Sequence, residues 1–299
     1  MSPSQKKAYL LALTAVLFWA TVPTAFKLGL QEQSIYQLLS GSSLVSLLVL
    51  GIAVLFPQRR KLLLKITWKD LLFSAAMGLI NPFVYYLVLF KAYSLLPAQV
   101  AQPLNMVWPL VLVLFSIPVL KQKIGIRSIA ALLVSFGGVV LISLQGGNPA
   151  GNSGNLTGVL LALLTSVMWA LYWVLNARDQ QDKVLRLFLN FLFAALYLAA
   201  GSFFISPAFP VSLRGWETAG YVGVFEMGLS FIFWLLALKF SETTDKVSNL
   251  VYIAPFLNLL FVHLILGERI FLTTIGGIIL IITGILLQNV KRNGEKRAV

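Results

Sequence analysis

From Ser128 to Ala177 the chain carries no Asp, Glu, Lys or Arg. A bilayer core is crossed by about twenty apolar residues in a helix. Two such spans fit in this stretch, separated by the turn-forming Gly/Asn/Pro run at 146–155. The remainder follows the same pattern. Only 11% of residues are charged and 59% are hydrophobic, with a mean hydropathy of +0.87. A soluble protein carries about 25% charged residues, so this chain has too few to cover a water-facing surface. The fold class is therefore an all-α integral membrane protein. Apolar windows fall at 8–28, 34–56, 70–91, 97–119, 126–145, 156–176, 186–206, 216–238, 246–266 and 270–290, which predicts ten transmembrane helices.

The charges that remain set the orientation. Of the 23 Lys and Arg, only Lys27, Lys91, Arg214 and Arg269 fall on one side if the spans are threaded with the N-terminus inside. The others flank the opposite face, as the positive-inside rule requires of a cytoplasmic side. Both termini are then cytoplasmic. The same distribution explains the net charge of +13 as juxtamembrane flanks and argues against a nucleic-acid partner. The apolar run after Lys6 and Lys7 is too long for a signal-peptide core and carries bulky Phe18 and Trp19, so it reads as a retained first span. The absence of Cys, with one His, leaves no disulfide framework, no thiolate nucleophile and no basis for a metal site.

An internal repeat runs at an offset near 147. Tyr93-Ser94 matches Phe240-Ser241 and Val100 matches Val247. With a one-residue slip, Pro109 matches Pro255 and Lys123 matches Arg269, while Trp19 matches Trp169 at a slightly longer offset. Each half holds an odd number of spans, five, so the halves lie in opposite orientations. This is the inverted-repeat plan of secondary transporters, with the site near the midplane between halves. The expected division is residues 1–147, an external linker at 148–155, and residues 156–299.

At this level the chain resembles the drug/metabolite transporter superfamily, specifically its EamA-type bacterial members. The likeness is carried best by LALKFSETTDKVSNLVYIAPFLNLLFVHLILGERI followed by GGIILIITGILL in the second half. A weaker version stands in the first, with Lys121-Gln122-Lys123 at the position of the acidic-basic pair. The resemblance implies a ten-helix metabolite transporter of the bacterial cytoplasmic membrane, commonly working in export.

Glu226 is the chemically informative residue. It lies about ten residues from Trp216 and about twelve from Leu238, close to the midplane at 1.5 Å rise per residue. A carboxylate there costs about 2.5–3.5 kcal/mol even on lenient insertion scales, so it must face protein or water. Gly220, Gly223 and Gly228 around it let a neighbouring helix approach closely. Aligning Gly78 with Gly223 puts Asn81 opposite Glu226. Tyr85, one turn on from Asn81, shares its face, and Pro82 frees the carbonyl of Gly78. Trp19, Trp169 and Tyr172 lie far enough inside their spans to line a cavity. These six form the expected substrate-binding or proton-coupling set.

Gln99, Gln102 and Asn105 recur at three-residue steps near Pro103 and Pro109. Lys246, Asn249 and Tyr252 answer them in the partner span before Pro255. These two stripes are the gate or pathway candidates. His263 reads as a solvated or hydrogen-bonded interface residue, and Glu268-Arg269 as a structural ion pair. Gly137, Gly138, Gly276 and Gly277 mark two close-packed scaffold helices, of which the second has spacing compatible with dimer packing; a monomer and a weak homodimer both fit.

The expected function is secondary active transport of a small-molecule substrate, such as an amino acid or amine-containing amphipathic compound, by alternating access across the lipid bilayer. Glu226 is the candidate for proton coupling. There is no phosphate-binding loop for ATP, and the reading calls for no cofactor and no catalytic residue. The alternatives are a membrane-embedded lipid-linked transferase, which would need a second ionisable group beside Glu226, and a facilitative channel or uniporter.

Overall fold

The computed structural model describes residues 3–108, 126–143, 155–205, 207–241 and 253–289, together with Val111, Phe115 and Leu250. All regular structure among them is helical. The first segment contains α1 (Pro3–Glu32), α2 (Ile35–Leu55), the short α3 (Pro57–Leu63), α4 (Trp68–Gly78), α5 (Tyr85–Leu95), α6 (Ala98–Asn105) and α7 (Ile126–Ser143). The second contains α8 (Leu156–Arg178), α9 (Lys183–Gly201), α10 (Leu213–Tyr221), α11 (Ser230–Phe240), α12 (Ala254–Leu266) and α13 (Leu272–Asn289). Six helical stretches among the described residues are long and apolar enough to cross a membrane. α4 and α5 form one of them and α10 and α11 another, each pair joined through a π-helical segment, at Leu79–Val84 and Val222–Leu229 respectively.

The helices carry large apolar side chains on their outer faces as well as inside, and small residues take part of the inner faces. On α2, Leu44, Leu48, Ile52 and Leu55 point outward, while Ser40, Gly41, Ser42, Ser43 and Ser46 are buried. On α1 the outward residues are Leu10, Leu13 and Leu17, and Ala8, Ala12, Ala15 and Ala20 face inward. Lipid is as apolar as leucine, so burial of large aliphatic groups does not drive association here. Small residues that let backbones approach closely do.

Glycines mark the tightest approaches. A Cβ on Gly138 would lie 2.5 Å from the carbonyl oxygen of Gly277, and one on Gly276 would lie 3.2 Å from Leu141. Ser135 Oγ adds a 3.2 Å bond to the carbonyl of Ile281. Gly138, Gly276 and Gly277 thus join α7 to α13 within one chain, whereas Gly137, expected to share this packing, faces open space. Gly223 meets Ser42 and Val45 of α2, Gly228 meets Val49, and Gly220 faces open space. Gly78 abuts the backbone of Asn190 on α9.

The two segments interleave. α1 packs on α10, α11 and α12, and α5 and α6 pack on α8. α2 packs on α9 and on the Val222–Leu229 turn, and α9 packs on α4 and the Leu79–Val84 turn. Helix ends are capped by side chains, Ser34 and Thr67 through reciprocal capping boxes and Asn155 onto Gly158 N–H. α12 ends at Gly267 in the left-handed region, φ 67°, the conformation glycine adopts without steric cost.

Candidate functional site

Glu226 sits in the wide π-helical segment Val222–Leu229, 8% exposed. A π turn adds a residue per loop and frequently marks functional positions. The Tyr86 hydroxyl, on α5, donates to Glu226 Oε1 at 3.0 Å. The other carboxylate oxygen, Oε2, is buried and has no protein hydrogen-bond partner.

Glu226 is a residue in the wall of a cavity. α1 contributes Trp19, Val22, Pro23 and Phe26. α5 contributes Tyr85, Leu89 and Tyr93. α6 and the residues after it add Gln102, Asn105, Met106 and Trp108, and α8 adds Trp169. The rings brace one another. Tyr85 and Trp169 are 4.9 Å apart between centroids, Phe26 meets Tyr93 edge-on at 5.2 Å, and Trp19 packs on Trp234 at 5.3 Å. Asn105 Nδ2 is taken up by Thr165 Oγ1 at 2.9 Å and the Tyr85 hydroxyl at 3.2 Å. Gln102 Nε2 donates to the Trp19 carbonyl at 3.3 Å.

The structure thus gathers Glu226, Tyr85, Trp19, Trp169, Gln102 and Asn105 around one space. It places the other expected residues elsewhere. Asn81 is fully buried but is not a cavity-wall residue, because its own backbone is extended (φ −146°, ψ 122°) and interrupts the helix. The four-residue relation that would align it with Tyr85 does not survive that break. The Asn81–Pro82 peptide is cis. Tyr172 stacks on Trp169 at 6.1 Å, while its hydroxyl accepts a 3.0 Å bond from Asn190 Nδ2, behind the cavity wall. Gln99 diverges from Gln102 and Asn105: it donates to the Arg269 carbonyl at 2.6 Å and accepts from Thr274 at 3.3 Å. Gln102 and Asn105 stay at the cavity, while Gln99 bonds toward α13 instead. Lys246, Asn249 and Tyr252 lie outside the described residues.

Tyr86 was not singled out by the sequence. Its signal is the spacing Tyr86, Phe90, Tyr93, one aromatic face of α5 at i, i+4 and i+7. Glu268 also takes an unexpected role. Instead of an ion pair with Arg269, its carboxylate accepts from the backbone N–H groups of Ala98 and Gln99 at 2.9 and 3.2 Å, where it offsets the positive end of α6. Lys27 Nζ meets the neighbouring carbonyls of Tyr93 and Leu96 at 2.9 and 3.1 Å. His263 Nδ1 lies 3.0 Å from the Glu268 carbonyl.

At the other end of the molecule, Arg186 is 2% exposed. Its guanidinium meets Asp179 at 2.7 and 2.9 Å, the Asp70 carboxylate at 2.9 Å, and Ser74 Oγ at 2.7 Å. This cluster ties the start of α4 to the end of α8 and the start of α9. Asp70 also closes the capping box of α4.

No group of three or more His, Cys, Asp or Glu side chains among the described residues is placed to hold a metal ion. The cavity lining instead combines aromatic side chains with the amides Gln102 and Asn105 and the acid Glu226.

Comparison with known proteins agrees with a transport architecture. The EamA-like transporter family matches the chain twice, over residues 6–144 and 156–290. An uncharacterized transporter of Bacillus subtilis is 25% identical over 99% of this chain and 95% of its own length. One from Clostridium kluyveri is 27% identical over 98% and 97%. An aromatic amino acid exporter of Ancylobacter novellus is 26% identical over 61% of this chain and 64% of its own. A solved crystal structure superposes with a TM-score of 0.67 over 94% of this chain and 97% of that one, at 23% identity, a likeness of fold. With several helices apolar enough to cross a bilayer and two matches that together span most of its length, the chain is a multi-pass membrane protein that belongs to the EamA-like transporter family.

Proposed function

We propose that this protein is a secondary transporter that exports small metabolites, amino acids or other amine-containing amphipathic compounds, across the bacterial cytoplasmic membrane by alternating access. One observation carries the reading. The cavity around Glu226 is lined from both family-matched segments, by α1, α5 and α6 of the first and by α8 and the Glu226 turn of the second. A ligand held there touches both, so rocking one against the other exposes it to each side in turn. The name of the Ancylobacter novellus relative supports a cargo carrying a ring.

Ten spans in two inverted sets of five, with both termini cytoplasmic, remain the topology we infer. Its support is the way packing recurs with partners exchanged. α1 on the α10–α11 span is answered by α8 on the α4–α5 span, and α1 on α12 by α8 on α6. α2 on the Val222–Leu229 turn is answered by α9 on the Leu79–Val84 turn. Those two turns interrupt the repeat-related spans near matching positions.

In this reading substrate and proton compete for the Glu226 carboxylate, which couples export to proton entry. Glu226→Gln keeps size and hydrogen bonding but removes titration. Reconstituted in proteoliposomes, it is expected to insert and fold, to lose proton-driven transport, and to retain at most an exchange insensitive to pH. Wild-type rate with a wild-type pH profile would make Glu226 a packing residue and sink the coupling.

A further inference from the structure

Residues 56–67 join α2 to α4. α2 and the stretch that begins with α4 are each long and apolar enough to cross a membrane, so this linker lies at a membrane surface. It has a packed face and an open one. Leu62, Leu63 and Ile66 pack against the cluster formed by Val54 with Val184, Leu185 and Leu189 of α9. Arg59 ties the linker to the start of α9, pairing with Asp182 at 3.2 Å. The open face alternates cations with large apolar groups. Arg60, Lys61, Lys65 and Lys69 are exposed, and between them Leu64 is 90% and Trp68 71% exposed.

Neither set is explained by the protein's own packing. Leu64 and Trp68 gain nothing by standing in water. They extend the apolar outer surface of the spans, where Ile52 and Leu55 of α2 and Leu72 of α4 are also exposed. Trp68 and Leu72, four residues apart, share a face of α4, and tryptophan is enriched at the membrane–water boundary. Lys69 stands in the first turn of α4, the end at which the helix dipole disfavours a positive charge. The neighbouring carboxylates are already engaged. Asp70 accepts from Thr67 and Arg186, and Asp182 accepts from Arg59 and the first N–H groups of α9.

We infer that the open face of residues 60–69 is a binding surface for anionic phospholipids of the leaflet it meets. Arg60, Lys61, Lys65 and Lys69 meet the phosphates, and Leu64 and Trp68 seat in the apolar boundary beneath them. Cations beside apolar residues on one face are the pattern of a segment that lies in the interface, where anionic headgroups attract the charges and the apolar groups set the depth. A free phosphate or an acidic soluble protein would match the cations but leave Leu64 and Trp68 in water. The surface follows from the membrane class and is independent of what the transporter carries and of which side is cytoplasmic.

The test is native mass spectrometry of the full-length protein released from detergent micelles that hold phosphatidylglycerol and phosphatidylcholine of the same acyl chains in equal amounts. Phosphatidylglycerol adducts are expected to exceed phosphatidylcholine adducts by about fivefold or more, the effect of a single cation held near an anionic surface. Lys61→Gln, Lys65→Gln and Lys69→Gln together are expected to remove most of that preference. Lys6→Gln, Lys7→Gln and Lys239→Gln together take the same charge from lysines exposed elsewhere and are expected to leave it. Glycerol 3-phosphate, which has no acyl chains, is expected not to displace the lipid. Because the two lipids are compared on wild-type protein, a variant that fails to fold leaves the test intact. Equal retention of the two lipids overturns the surface. So does an equal loss in the two triple variants, which would reduce the preference to net charge. Displacement by glycerol 3-phosphate overturns it as well, in favour of a site for soluble phosphate.

Discussion

Tyr86 and Glu226 form a donor–acceptor pair inside a wall made of rings, and each depends on the other. Without the hydroxyl, both carboxylate oxygens are buried and unmatched, since Oε2 has no partner already. Leaving a buried polar group unsatisfied costs about 1–3 kcal/mol, more when it is charged. Tyr86→Phe, which keeps the ring in its contacts with Phe26 and Phe90, is expected to lower the thermal unfolding midpoint in detergent. Combined with Glu226→Leu, which removes the acceptor, it is expected to lower it by less than the two separate effects together. Additive losses in that double-mutant cycle would show that the two side chains do not interact.

Two features tie elements together, one through charge and one through the absence of side chains. Arg186 holds the start of α4 against α8 and α9 through two carboxylates of 14% and 10% side-chain exposure. Removing one partner of such a cluster costs about 3–5 kcal/mol, because the remaining charges stay buried and unpaired. Arg186→Met should therefore unfold well below the wild type, and further replacement of Asp179 by Asn should recover part of the loss; a full-strength Arg186→Met protein would mean that water reaches both carboxylates. Along α7 and α13 the contact is steric. Gly138→Ala drives a methyl group into the Gly277 backbone, an overpacking that costs about 1–3 kcal/mol. Gly137→Ala points into open space and should change the midpoint little. Equal effects of the two substitutions in the same thermal assay would contradict the placement of this interface.

At the scale of the whole molecule, the inferred topology makes a direct prediction. Reporter fusions after Gln58, Lys123, Asp182 and Lys291 are expected to report cytoplasm, and one near Asn152 the far side. The argument is the segregation of Lys and Arg together with the exchange of packing partners between the two segments. A cytoplasmic signal at Asn152 would remove the orientation and the inverted repeat at once.

The amino-acid sequence alone determined the membrane class, most helix positions, the charge asymmetry and the candidacy of Glu226 as an acid buried inside a span. Each of these depends on local hydropathy, on chain length or on a single residue out of place in an apolar span. It also indicated Trp19 and Trp169 as candidates by their depth within their spans, and Tyr85 by its place one turn on from Asn81. The tertiary structure alone decided how these groups meet. It separated Asn81 from Tyr85 by an extended residue where helical spacing had joined them. It scattered Gln99, Gln102 and Asn105 onto three neighbours where their spacing had made one stripe. It gave Glu226 a tyrosine from a helix far away in the chain. Helical periodicity shows which residues share a face while the helix runs straight. Which polar atom finds a partner depends on the surfaces that pack against that face.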